Sequence, residues 1–402
     1  MDLTFTPAQE AFRAEARAWL AAHVPAPGLL ASLDTAAGFE QHRAWERTMA
    51  ADRWSVVSWP EEYGGRGVGI FEWLLFEEEY YRARAPRRVS QNGIFLLGPT
   101  MLEHGTPEQR ARFLPPMASG EEIWCQGWSE PDAGSDLAGI RSRALRDEGA
   151  GGWRLSGQKT WCSRGAFADW CFAIFRTDRE AERHRGLTYF LVPMDAPGVT
   201  VRPIPQLDGE TGFAEVFFDE VFVPDDQVLG GVGQGWSVAM STAGSERGLS
   251  LRSPARYTEA ARRLVDLYVR RGMPAGRVAD DVARAYVDAE AYELGTYWTA
   301  SRVADGHGVG AEASSNKIFW SETDLAIHAT ALDLLGPEAE LLEATEGAEP
   351  GGGAPDALAS AARAPGEWLD GYLFALAGPI YAGTNEIQRN VVAERLLGLP
   401  RA

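Results

Sequence analysis

The chain has 402 residues, 45% of them apolar, and a formal net charge of −19. That length and composition suit two or three domains with a large buried core. The charge excludes non-specific binding to nucleic acid and to anionic membrane surfaces, so an anionic ligand would need local positive potential from helix N-termini, backbone N–H groups and a few arginines.

Residues 1–120 read as an N-terminal helical domain. Thr6-Pro7-Ala8-Gln9 is a helix start, with Thr6 as N-cap, Pro7 at the first helical position and Gln9 reaching back. Phe12, Ala16, Trp19 and Leu20 then share one face. Trp59 to Gly65 forms a turn, a helix covers Phe71 to Ala83, and Thr106 caps another. Residues 121–230 change texture. Short apolar runs at 170–175, 187–192 and 215–223 alternate with Gly, Pro and Asp, the spacing of an antiparallel β-barrel or sandwich domain. From 231 to 402 helical periodicity returns near 234–272, 277–305, 311–335 and 384–397, a C-terminal four-helix-bundle domain with a Gly/Pro-rich surface loop at 346–355. Helices, then strands, then helices make an α+β chain. Cys125, Cys162 and Cys171 have no metal-ligand spacing and read as buried reduced thiols, so no metal is expected. No basic region followed by an apolar run opens the chain, and no apolar run nears the ~20 residues of a membrane span. The expectation is a soluble, cytoplasmic protein.

Four segments carry chemistry. Cys125 to Asp136 (Cys-Gln-Gly-Trp-Ser-Glu-Pro-Asp-Ala-Gly-Ser-Asp) reads as a strand that breaks at Pro131 into a Gly-containing loop, either an anion cradle or an ordinary turn. Gly157 to Ser163 reads as part of a strand pair with a tryptophan. Ser241 to Gly248 places Glu246-Arg247 among small residues on a helix, where a ligand can approach closely. Pro379 to Asn390 ends in a helix that Thr384 can cap, with acids in its first turn. The glycine run 230–235 lacks the βαβ pattern of a dinucleotide fingerprint.

Together, and in this order, these segments resemble the acyl-CoA dehydrogenases, flavoproteins that desaturate acyl thioesters; the resemblance spans nearly the whole chain. It implies FAD as cofactor. Gln126, Trp128 and Ser129 would line the flavin, Trp161 would pack on the isoalloxazine edge, and Ser163 would hydrogen-bond near its reactive nitrogen. Thr384 and Glu386 would approach the flavin as well. Ser135 would sit beside the pantetheine or pyrophosphate of the substrate. In much of the family a Glu between Tyr and Gly of the C-terminal segment is the catalytic base; here that position is Ala382, which has no proton acceptor. Some members, such as those acting on isovaleryl and long-chain substrates, carry the base in a Glu-Arg pair on the first helix after the β-domain. That assigns the base to Glu246, with Arg247 at the substrate. The Ala382 backbone N–H and the flavin ribityl 2′-hydroxyl would then polarise the thioester carbonyl.

The implied function is FAD-dependent α,β-dehydrogenation of an acyl thioester on coenzyme A or a carrier protein, with an electron acceptor such as an electron-transfer flavoprotein. A related flavin oxidase or monooxygenase, and a non-catalytic partner subunit of a heteromeric enzyme, are the alternatives. The family forms homodimers or homotetramers, and hetero-oligomers also occur. Tyr268 to Gly276 lacks the Phe-Gly that follows the family's pyrophosphate-binding Arg, and Leu334 to Pro337 lacks its Gly-Gly, so FAD binding across subunits stays open.

Overall fold

The computed structural model describes residues 4–25, 34–207, 209, 211–247, 253–340 and 365–400, with Ser245–Arg247 and Pro365–Gly366 described by backbone only. The chain divides into two compact units. One comprises Met1–Leu29, Gly69–Ala85 and Arg247–Ala402, the other Leu30–Val68 and Pro86–Glu246.

The first unit is helical: α1 (Pro7–His23), α3 (Ile70–Arg82), α7 (Pro254–Arg270), α8 (Arg277–Ala304), α9 (Glu312–Leu335), α10 (Pro365–Leu376) and α11 (Asn385–Val391). The expected capping box opens α1: Thr6 Oγ1 accepts from Gln9 N and Gln9 Oε1 accepts from Thr6 N. Tyr257, Ala261, Leu264 and Leu267 recur at helical spacing on α7 and meet Val282, Ala289 and Tyr292 of α8 and Trp320, Ile327 and Ala331 of α9 in one core. The periodicity of 234–272 belongs to two helices, because Ser253 caps a new helix at Pro254 through Ala255 N. A residue before proline avoids the helical region, which favours a break there. The Gly/Pro-rich loop expected at 346–355 lies outside the described residues.

The second unit holds α2 (Ala36–Ala51), α4 (Gly98–His104), α5 (Pro107–Ala118), the strands β1 (Trp124–Gly127), β2 (Arg143–Asp147), β3 (Gly152–Ser163), β4 (Trp170–Arg176), β5 (Leu187–Pro193), β6 (Val199–Ile204), β7 (Phe213–Pro224) and β8 (Val228–Leu229), and α6 (Gly235–Arg247). A second capping box, Thr106 with Gln109, opens α5. The strands form one sheet in the order β6-β7-β3-β2-β4-β5-β8, with β1 beside β4. Most pairs are antiparallel, while β1 runs parallel to β4 and sets Cys125 opposite Cys171. All three cysteines are free and buried. α6 packs so closely on β5 that a Cβ built on Gly235 would lie 2.6 Å from Thr188 N. Thr242 of α6 is fully buried, and its hydroxyl accepts from Thr100 at 2.9 Å and from Tyr189 at 3.3 Å. No helix among the described residues is long and apolar enough to cross a membrane.

Candidate active site

The sheet unit gathers the first two sequence segments. β1 ends at Gly127, and the chain then continues through Trp128, Ser129 and Glu130 beside β3. Two consecutive β3 residues hold two consecutive carbonyls there: Lys159 Nζ donates to Trp128 O at 3.3 Å and Thr160 N donates to Ser129 O at 2.9 Å. Lys159 is fully buried, and beside its stem a Cβ on Gly127 would lie 2.6 Å from Cys171 Sγ. Its ammonium also meets Glu130 Oε1 at 2.8 Å. Glu130 in turn accepts from Arg141 N at 2.6 Å and Ser142 N at 2.9 Å. Burial pushes the Glu130 carboxyl up, but Lys159 and these hydrogen bonds win and hold it below its ordinary value.

Trp128 is buried and packs edge-on to Tyr189, and its Nε1–H has no acceptor among the described residues. Among the described residues, neither the N–H nor the hydroxyl of Ser129 meets an acceptor, and the half-buried amide of Gln126 is also unpaired. A buried unpaired donor costs about 1–3 kcal/mol, which an acceptor-bearing ligand would relieve at Trp128. The carbonyl and nitrogen acceptors of a flavin pyrimidine ring fit it.

Further along β3 the ladder to β7 slips between Lys159 and Cys162, and Trp161 bulges out with φ of +59°. A non-glycine residue in the left-handed region costs about 1–2 kcal/mol, and Trp161 is nonetheless 59% exposed. It is not the core tryptophan of a strand pair; its ring stands edge-on to Phe213 as an open apolar surface. Ser163 is half-buried at the end of β3, and its carbonyl accepts from Asn92 Nδ2 at 3.4 Å. Ser135 is exposed in the loop beyond Pro131. Glu246 and Arg247 fall in the last turn of α6, with their side chains outside the described residues.

The helical unit positions the C-terminal segment. Ala382 has φ of +57° and Gly383 +74°, so two successive residues turn left-handed. Gln388, fully buried, donates from Nε2 to Ala382 O at 3.0 Å and to Gly383 O at 3.2 Å. With the carbonyl tied down, the Ala382 N–H meets no acceptor among the described residues. Below the turn, Lys317 Nζ donates to Gly378 O and to Asn385 Oδ1, both at 2.8 Å, and Asn385 N closes onto Pro379 O. Thr384 caps α11 through Ile387 N, and the exposed Glu386 pairs with Arg389 at 3.2 Å.

Lys159, Lys317, Asn385 and Gln388 are the residues that motif reading does not assign. A signal for Lys159 exists, since it shares the strand parity of the buried Trp153 and Leu155. No grouping of His, Cys, Asp and Glu among the described residues could hold a metal.

Comparison with known proteins gives three family matches in chain order: the acyl-CoA dehydrogenase N-terminal domain over residues 6–121, the middle domain over 125–221 and the C-terminal domain over 233–397. The chain is 40% identical over 412 residues to acyl-CoA dehydrogenase IpdE1 of Mycolicibacterium smegmatis, covering 97% of each. It is 40% identical over 402 residues to IpdE1 of Mycobacterium tuberculosis, covering 98% of each. Among solved structures it resembles the Tcur3481-Tcur3483 steroid ACAD, with a TM-score of 0.84 and 29% identity over all of both chains. The ChsE4-ChsE5 complex from Mycobacterium tuberculosis matches with a TM-score of 0.83 and 30% identity, again over all of both chains. By these matches the chain belongs to the acyl-CoA dehydrogenase family, oxidoreductases that act on CH–CH bonds.

Proposed function

We propose that this chain is an FAD-dependent dehydrogenase of an acyl-CoA thioester, with Glu246 as the base. The observation that supports it best is the row of unpaired donors at Trp128 and Ser129, which suits a flavin pyrimidine edge. When bound, FAD would accept the β-hydrogen with its electron pair. Gln126, Trp128, Ser129, Trp161 and Ser163 on the sheet, and Thr384 and Glu386 at the C-terminal turn, are the residues we assign to holding it. The Glu246 carboxylate takes the α-proton. The Ala382 N–H, oriented by Gln388, donates to the thioester oxygen as negative charge builds there, a role that needs no side chain. Ser135 and Arg247 are assigned to the substrate.

Because a structurally similar protein is named a steroid ACAD, a steroid-derived acyl group is the first substrate class to test, against straight and branched short chains. The electron acceptor we assign is an electron-transfer flavoprotein. For assembly we infer a homodimer or homotetramer. Two of the similar structures carry paired names, and for this chain that favours, as the second reading, a hetero-oligomer with a related subunit.

Purified with FAD, the chain should be yellow and bleach anaerobically when mixed with its acyl-CoA. Glu246→Gln should slow bleaching by about 10²–10⁴-fold, the usual contribution of a positioned general base. Full flavin reduction by Glu246→Gln removes Glu246 from the mechanism. A colourless chain that becomes yellow only with a second subunit supports the hetero-oligomer, and rapid peroxide formation in air supports an oxidase.

A further inference from the structure

We infer that Lys159 is a positioning residue for the flavin: its ammonium fixes the Trp128–Ser129 peptide and strengthens the Ser129 N–H as a donor to the cofactor. The inference rests on the FAD reading above. An ammonium has three N–H bonds. Here one goes to Trp128 O at 3.3 Å and one to Glu130 Oε1 at 2.8 Å, while the nitrogen stands 5.0 Å from the centroid of the Phe175 ring. Cys162 and Cys171 lie near enough to act on its charge. Burial holds the Lys159 pKa below its ordinary value, with Glu130 opposing the fall.

A fully buried lysine is expensive unless paired. A neutral, well-packed side chain would fill the same volume without that cost, so the charge calls for a use. Its placement supplies one. The Trp128 carbonyl that receives the ammonium belongs to the same peptide as the Ser129 N–H, which has no acceptor among the described residues. Hydrogen bonds in a low-dielectric interior polarise one another along a chain, so an ammonium on the carbonyl makes the N–H on the other side of that peptide a stronger donor. Thr160 N holds the next carbonyl, Ser129 O, so β3 fixes the orientation of the donor as well as its strength. A donor to the flavin pyrimidine edge favours electron density on the ring, and its strength therefore bears on the reduction potential.

Lys159→Met tests this, with removal of the charge and little change in volume. Glu130 keeps its bonds from Arg141 N and Ser142 N, so the loop retains its own anchor. Should the unpaired Glu130 prevent folding, the Lys159→Met/Glu130→Gln pair removes both charges. The flavin-loaded variant should show a more negative midpoint potential, a shifted flavin absorption band and about tenfold weaker FAD retention, the scale of one charge-assisted hydrogen bond. A variant with unchanged potential and absorption band overturns the inference, whatever its thermal stability. Wild-type protein that takes up no FAD, whether alone or with a related second subunit, overturns the proposed function and this inference with it.

Discussion

Gly235→Ala tests whether the start of α6 sets the position of Glu246. The new methyl would lie 2.6 Å from Thr188 N and 2.7 Å from Leu187 C, both backbone atoms of the buried strand β5, so no side chain can swing away. Reaching ordinary contact at about 3.4 Å requires the start of the helix to retreat by about 0.8 Å. Thr242, held by Thr100 and Tyr189, is the natural pivot. At 1.5 Å per residue it lies about 10 Å along the helix from residue 235, and Glu246 about 6 Å beyond it. The lever carries the Glu246 backbone about 0.5 Å the opposite way. Overpacking of this kind costs about 1–3 kcal/mol. A 1 Å misplacement of a reacting group costs about 10²-fold in rate, so half of that predicts about a tenfold slower anaerobic bleaching. Stopped-flow reduction by acyl-CoA, read beside a thermal melt, checks both numbers. A lower melting temperature with full bleaching rate would refute the lever, and an unchanged melting temperature would refute the clash itself.

Two acids of the helical unit give predictions of opposite sign. Glu79 is buried, which raises its pKa, but Arg17, Arg13 and Arg82 pull it down to about 2. A depressed carboxyl contributes stability above its unfolded pKa of 4.5 and loses it as pH falls toward 2. Glu79→Gln should therefore flatten the acid limb of the stability curve and lower stability at pH 7 by about 2 kcal/mol, less than the full shift implies because Arg17 is screened by solvent; an acid limb identical to wild type contradicts this. Glu293 is pushed up to about 7 by burial first, then by Glu78 and Glu290. Its contribution is complete below pH 4.5 and is lost as pH rises through 7, so Glu293→Gln should melt higher than wild type at pH 8, by about 2 kcal/mol after screening, and show no such gain at pH 5. Urea titrations at the two pH values decide it, and equal differences at both would refute the assignment.

Local rules made the helix starts legible. Thr6-Pro7-Ala8-Gln9 and Thr106-Pro107-Glu108-Gln109 each satisfy their capping bonds within four residues, so no distant contact is needed to specify them. The family and the order of its segments were legible because the motifs are contiguous. What escaped is what lies inside. α9 was legible as a helix from its periodicity, but it buries Ser314, Lys317, Ser321, Asp324 and His328 along with Trp320 and Ile327, so half of its inward face is polar, which periodicity does not foretell. The partners that make this burial tolerable, Asn385 for Lys317 and Arg256 for Asp324, are more than 60 residues away in sequence. The outward turn of Trp161 comes from the slipped ladder between β3 and β7, a pairing that the strand segment alone does not show.

The division of the chain also bears on its synthesis. The polypeptide passes between the two units four times: α1 and α3 belong with residues 247–402, while residues 30–68 and 86–246 form the other body. A ribosome making about 5–20 residues per second finishes α3 roughly 10–30 s before the first residues of α7 emerge. Throughout that interval the faces of α1 and α3 that end up buried, Leu20 and Leu75 among them, have no completed unit to enter. The nascent chain must be shielded while the sheet forms first, so slower growth temperatures and added chaperone should raise the yield of folded protein more than any change to the C-terminal helices.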